Sequence, residues 1–196
     1  MKRKSFLFVA LAALLAFIPV SNFVQAGDFA VGSNLENFKL SDTTGKERSF
    51  NDLKGKNGAV LVFLSIQCPV VKGYDERIVK LAADLQAKGV NVIGINSNAT
   101  EPPDAVAKYA AGKYKFPVLI DKDNVLADKL SATVTPETLY VNEKNVLLYR
   151  GAIDNDRSGA GVTESYLQAA IDSTLSGKPV AKTSANAFGC SIKRKQ

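Results

Sequence analysis

The chain has 196 residues, 46% hydrophobic and 22% charged, with two cysteines, no histidine, no tryptophan and a formal charge of +6. That suits one soluble globular domain with a full core and not a disordered chain. It excludes imidazole chemistry of every kind, and two cysteines fall short of a four-ligand zinc site, so carboxylates would have to carry any metal; no metal and no cofactor are expected. A cysteine working without imidazole, carboxylates, or no chemistry at all remain.

Residues 1–26 pose a separate problem. Lys2, Arg3 and Lys4 precede an apolar run from Phe6 to Val20, broken at Pro19, and Val24-Gln25-Ala26 offers a small-residue cleavage site. The run is short for a membrane span, so the segment reads as a cleaved secretory signal rather than an uncleaved anchor. The expected product, residues 27–196, is exported to a periplasm or the extracellular space and has no membrane contact. Its charge falls to +3, and Lys193, Arg194 and Lys195 account for that excess. Residues 27–192 balance at 19 basic and 19 acidic side chains, which argues against nucleic-acid binding. The terminal basic triplet reads as a solvated tail.

The body alternates strands and helices. Asn37–Leu40 and Glu47–Phe50 flank a Thr43-Thr44-Gly45 turn as two short extended segments. Ala59–Ser65 is a near-continuous apolar run, the mark of a strand covered on both faces. A helix follows Pro69, with Ile78, Leu81, Ala82 and Leu85 at helical spacing and Gly89 closing it. Val90–Ile95 is the next buried strand, and Pro102-Pro103 opens a second helix through about Ala110. Pro117–Ile120 is a short strand and Asn124–Leu130 a short helix. Thr138–Val141 and Val146–Arg150 form a hairpin around residues 142–145. A last helix runs from about Thr163 to Leu175, stopped by Gly177 and Pro179. Residues 27–180 make the domain, and residues 181–196 an irregular tail that carries Cys190. Such alternation predicts an α/β fold with helices on both faces of a sheet.

Cys68 stands between the most buried strand and the Pro69 helix. A thiol there feels the positive end of the helix dipole and free backbone N–H groups, which favour the reactive thiolate. The alternative is a buried structural thiol. Thr135-Pro136, just before the 138–141 strand, is a candidate cis bond. Two other motifs carry little. Asp154–Gly159 begins like a calcium loop but ends on Ser165, and Ser158–Gly161 lacks a phosphate loop's lysine and third glycine.

Together these residues resemble the redoxin family of alkyl hydroperoxide reductase and thiol-specific antioxidant domains. Asn37–Asp42, Leu53-Lys54-Gly55, Cys68–Tyr74 with Arg77, Ile95–Asn98, Phe116–Asp121, Thr135-Pro136-Glu137, Tyr149–Asp154 and Gly189–Lys193 carry the likeness across residues 34–193, nearest a peroxiredoxin-like branch. The resemblance implies a thioredoxin fold: a central mixed sheet with helices on both faces and a cis-proline loop facing the active cysteine. The chain also departs from it. Val71 stands where thioredoxins have a second cysteine, Gln67 where they have tryptophan, Leu61 where peroxiredoxins have proline, and Val134 where a related branch has cysteine. The implied activity is that of a thiol oxidoreductase with Cys68 as nucleophile and Cys190 as resolving thiol. Its partners are an external thiol reductant and a hydroperoxide or protein disulfide. Ser65 is expected to bond a peroxide or the thiolate, Arg77 or Arg150 to hold the thiolate ionised, and Pro69, Thr135 and Pro136 to shape the pocket. The competing expectations are a permanent Cys68–Cys190 staple in a non-catalytic binding module, and two sulfurs too far apart to meet.

Overall fold

The computed structural model describes residues 29–196, so the expected secretory segment of residues 1–26 lies outside the described residues. The chain builds β1 (Lys39–Asp42), β2 (Glu47–Ser49), α1 (Phe50–Leu53), β3 (Ala59–Leu64), α2 (Pro69–Ala87), β4 (Asn91–Asn96), α3 (Pro103–Lys113), β5 (Val118–Ile120), α4 (Val125–Lys129), β6 (Val134–Thr135), β7 (Glu137–Val141), β8 (Leu147–Gly151), α5 (Tyr166–Leu175), β9 (Ser184–Ala185) and β10 (Cys190–Ser191). No described helix is long and apolar enough to cross a membrane.

The main sheet has eight strands in the order β2-β1-β5-β4-β3-β7-β8-β9. β3, β4 and β5 run parallel, while β7 joins β3 and β1 joins β5 antiparallel. This is the expected mixed α/β arrangement of the thioredoxin fold. Strand alternation divides the core. Val60, Val62 and Leu64 of β3 enter one cluster, together with Val71, Tyr74 and Ile78 of α2 and residues of α3 and α5. Ala59, Leu61 and Phe63 point the other way, toward α1, α4, Leu35 and Ile192. Every residue of β3 is therefore buried, which is why its run is apolar without alternation.

Two local expectations change. Phe50 does not extend β2 but opens the one-turn α1, because the Ser49 hydroxyl caps the Asp52 N–H at 3.2 Å. The tail is not irregular: β9 pairs parallel with β8, and β10 pairs antiparallel with β6. Two glycines permit that docking. A Cβ on Gly151, whose φ is +129°, would lie 1.8 Å from the Ala185 carbonyl oxygen, and one on Gly189 would lie 1.9 Å from that of Thr135. The terminal basic triplet is exposed, as expected, and two of its members make surface ion pairs. Arg194 pairs with Asp128 at 2.8 Å, and Lys195 with Asp123 at 2.8 Å.

Candidate active site

β3 ends at the edge of the core, and the chain turns through Ser65–Gln67 into α2. Cys68 is the N-cap of that helix, with Pro69 in its first turn. Proline at this place costs no hydrogen bond, since the first helical N–H groups have no partner within the helix. The Cys68 sulfur faces the loop before β7. There the Thr135-Pro136 bond is cis, and the Cys68 thiol donates to the Thr135 carbonyl at 3.3 Å. Pro69 is exposed, whereas Thr135 and Pro136 are buried.

β10 brings Cys190 to the same place, because its register sets Cys190 opposite Thr135. The Thr135 hydroxyl donates to the Cys190 carbonyl at 3.4 Å. Both cysteines are free thiols, Cys68 with 1% exposure and Cys190 half-buried. Burial pushes the Cys68 thiol up, but hydrogen bonds from the Cys190 side chain, the Val71 N–H, the Cys190 backbone and the Thr135 side chain outweigh it, so the net shift is down. Cys190 moves the other way. Burial raises it, as do its bond to Cys68 and that neighbour's charge, and the Val70 N–H and Lys193 oppose this only in part. The first turn of α2 thus offers one N–H to each sulfur, and of the two thiols Cys68 is the one whose proton is the more easily lost.

The other expected site residues lie elsewhere. Ser65 is committed to a carboxylate: its hydroxyl donates to Glu101 at 2.6 Å, so it is not a peroxide or thiolate donor. Arg77 bonds Asp154 at 2.7 Å and the carbonyls of Asp156 and Arg157, with its guanidinium over the Tyr74 ring. Arg150 bonds Glu137 at 2.7 Å and the carbonyls of Phe29 and Ser131. Neither arginine is among the groups that shift Cys68. Instead each ties down a loop, Arg77 the segment after β8 and Arg150 the segment before β7. Asp154 and Asp156, which begin the calcium-like pattern, are occupied by Tyr74, Arg77, Ser158 and Gly161. No cluster of metal-binding side chains occurs among the described residues.

Sequence reasoning passed over Glu101 and Asn98, both 7% exposed and both at the C-terminal edge of the parallel strands. Glu101 accepts from Ser65, Ile66, Gln67 and Asn96, and Asn98 bridges β3 to the tail. The available signal was the polar run Asn96-Ser97-Asn98 directly after an apolar strand, at the sheet edge where α/β sites form. A groove of about 600 Å³ lined by Arg48, Gln86, Tyr114 and Phe116 contains neither cysteine.

Known proteins resemble this chain in sequence and fold. The AhpC/TSA family model matches residues 31–150. Thiol-disulfide oxidoreductase ResA of Bacillus subtilis (strain 168) is 31% identical over 150 residues, covering 72% of this chain and 82% of that protein. ResA of Halalkalibacterium halodurans is 29% identical over 175 residues, covering 85% and 93%. An uncharacterized conserved protein from Geobacillus kaustophilus superposes with a TM-score of 0.79 at 32% identity, covering 85% of this chain and 93% of that one. Peroxidoxin BcpB from Mycobacterium tuberculosis superposes at 0.59 with 20% identity, covering 75% and 96%, and shares the fold. With a lowered thiol at a helix start facing a cis-proline, and a family match across most of the sheet, the chain belongs to the AhpC/TSA family, thiol oxidoreductases of thioredoxin fold.

Proposed function

We propose that this protein is an exported thiol oxidoreductase whose working parts are Cys68 and Cys190, cycling between a dithiol and an internal disulfide. The observation that carries the reading is the convergence of both cysteines on Thr135, whose carbonyl takes the Cys68 thiol at 3.3 Å and which the β10–β6 register sets opposite Cys190, with Cys68 shifted down and Cys190 up. Cys68 is the thiolate, and it attacks one sulfur of a substrate disulfide, releasing the other as thiolate. Cys190, passing its proton to that leaving group, then attacks the Cys68 sulfur and frees the second substrate thiol. Two electrons move from the dithiol to the substrate. An external thiol restores the pair. Attack on the half-buried Cys190 sulfur is favoured, because Cys68 is the better leaving group and the less accessible sulfur. The segment Lys2–Val20 supports export, where an oxidising compartment would supply disulfides.

A protein disulfide is the preferred substrate class, on the strength of the oxidoreductase relatives that match most of the chain. Cys68 burial beneath the tail favours a second reading, a small hydroperoxide. There Cys68 takes one oxygen to become a sulfenic acid, the alcohol leaves, and Cys190 condenses with the sulfenic acid to release water. Glutathione-driven reduction of a model peptide disulfide, compared with reduction of a hydroperoxide, tests both. Cys68→Ser should abolish activity, a loss of about a thousandfold or more, and Cys190→Ser should stall at a mixed disulfide or sulfenic acid on Cys68. Full activity in Cys68→Ser contradicts the assignment.

A further inference from the structure

The β10–β6 register sets Cys190 opposite Thr135, but neither that ladder nor α2 ties the turn before Cys68 to the chain beyond Cys190. Cys68 hangs from the end of β3, while Cys190 sits on a two-residue strand more than a hundred residues later. What joins the two is the turn from Asn98 to Glu101, closed by the Glu101 N–H on the Asn98 carbonyl at 3.0 Å.

On the nucleophile side, Glu101 accepts four hydrogen bonds and has no salt bridge among the described residues. One oxygen takes the Ser65 hydroxyl at 2.6 Å and the Gln67 N–H at 2.9 Å. The other takes the Ile66 N–H at 3.1 Å and the Asn96 amide at 2.6 Å. These four fill a carboxylate's acceptor capacity, and three of them fall on the turn that delivers Cys68. On the tail side, Asn98 donates to the Leu64 carbonyl at 3.3 Å and accepts the Lys193 N–H at 3.0 Å. The Ala99 N–H adds a bond to the Lys193 carbonyl at 2.9 Å. Lys193 lies three residues beyond Cys190, so the same short turn grips the chain on both sides of the sulfur pair. A buried carboxylate without a cation is costly unless every acceptor is used, which makes this arrangement exacting about geometry.

We propose that Asn98 and Glu101 are the positioning residues of the dithiol: Glu101 fixes the turn that carries Cys68, Asn98 fixes the strand that carries Cys190, and together they set how closely the sulfurs approach. This rests on the reading of Cys68 and Cys190 as a redox pair. Closing a disulfide is an intramolecular reaction, so its equilibrium follows the local concentration of one sulfur at the other. Releasing either anchor dilutes it.

The test is the equilibrium constant for the internal disulfide in a glutathione redox buffer, together with the rate of Cys68 alkylation against pH in a Cys190→Ser background. Asn98→Ala should weaken the disulfide about tenfold while leaving Cys68 alkylation within about twofold. Asn98→Asp, which keeps an oxygen for the Lys193 N–H, should recover most of that loss. Glu101→Gln should weaken the disulfide by a similar factor and slow Cys68 alkylation near neutral pH, because a loosened turn withdraws the Val71 N–H. Disulfide constants unchanged in both Asn98→Ala and Glu101→Gln, with circular dichroism confirming the fold, overturn the proposal. Faster alkylation in Glu101→Gln also overturns it for Glu101, since the carboxylate would then be acting by its charge. A wild-type chain that forms no internal disulfide sinks the redox-pair reading itself, whereas a cycling wild type with unaffected variants sinks only the positioning role.

Discussion

The two sulfurs that meet at the sheet edge are held by different means. Cys68 is rooted in the domain: β3 below it is wholly buried, α2 continues from it for five turns, and Glu101 clamps the turn between them. Cys190 is held from outside, by a two-residue ladder with β6, by Ile192 in the opposite core cluster, and by ion pairs of Arg194 and Lys195 beyond it. Phe188 packs near Tyr74 on one face of the sheet, and Ile192 enters the other, so the tail crosses the edge like a strap. The contrast shows how a thiolate can be stabilised without histidine or a neighbouring cation. Each sulfur takes one N–H from the first turn of α2, but the rooted thiol is the one made easier to ionise, while the strapped thiol holds its proton more firmly and remains reachable.

Three substitutions break or sharpen that contrast, in falling order of expected effect. Gly189→Ala strikes the strap, because its Cβ would sit 1.9 Å from the Thr135 oxygen and the backbone must move. Its redox constant against glutathione should fall by more than tenfold while the melting temperature drops only modestly, the domain beneath being intact. Arg150→Ala strikes the floor under the cis-proline loop by stranding Glu137, which is 5% exposed and also takes the Thr133 N–H. Urea denaturation should show a loss of about 2–3 kcal/mol, with both thiols still able to pair. Arg77→Ala is the mildest, since its guanidinium serves only the 154–157 segment and the Tyr74 ring. About 2 kcal/mol of stability should go, because Asp154, 4% exposed, keeps only the Tyr74 hydroxyl and a backbone N–H, and the pH profile of Cys68 alkylation should stay in place. A profile moved upward by Arg77→Ala would restore the arginine to the thiolate's support.

The pH behaviour of the reduced protein follows from the same asymmetry. A depressed Cys68 stabilises the folded dithiol above the thiol's folded pKa, and that contribution is lost as pH falls through it. The raised Cys190 contributes below the ordinary thiol range and is lost as pH rises through its own folded pKa. Cys190→Ala removes the thiol donor that lowers Cys68, so its alkylation profile should move to higher pH.

Much of this was legible from residue order. The buried run of β3, the helical spacing after Pro69 and the glycine and proline stops place the strands and helices within a few residues, and Cys68 at a helix start announces its own chemistry. Ser49 and Asp52 carried a capping signal that distinguishes α1 from a longer β2. The tail was harder, because two-residue strands have no periodicity and are specified by the carbonyls they meet. Gly151 and Gly189 mark those meetings only once both chains are in place. The arginines misled for a similar reason. Arg77 and Asp154 are far apart in sequence, and charge alone does not say which carboxylate a guanidinium will find.

The most direct test equilibrates the protein with glutathione buffers of graded ratio, quenches with acid, alkylates the free thiols and maps the peptides by mass spectrometry. The account predicts a Cys68–Cys190 disulfide under oxidising ratios that opens smoothly as reduced glutathione rises, with any mixed disulfide on Cys190 and the alkyl group on Cys68. A bridge that stays closed at every ratio, or two thiols that never pair, would contradict it.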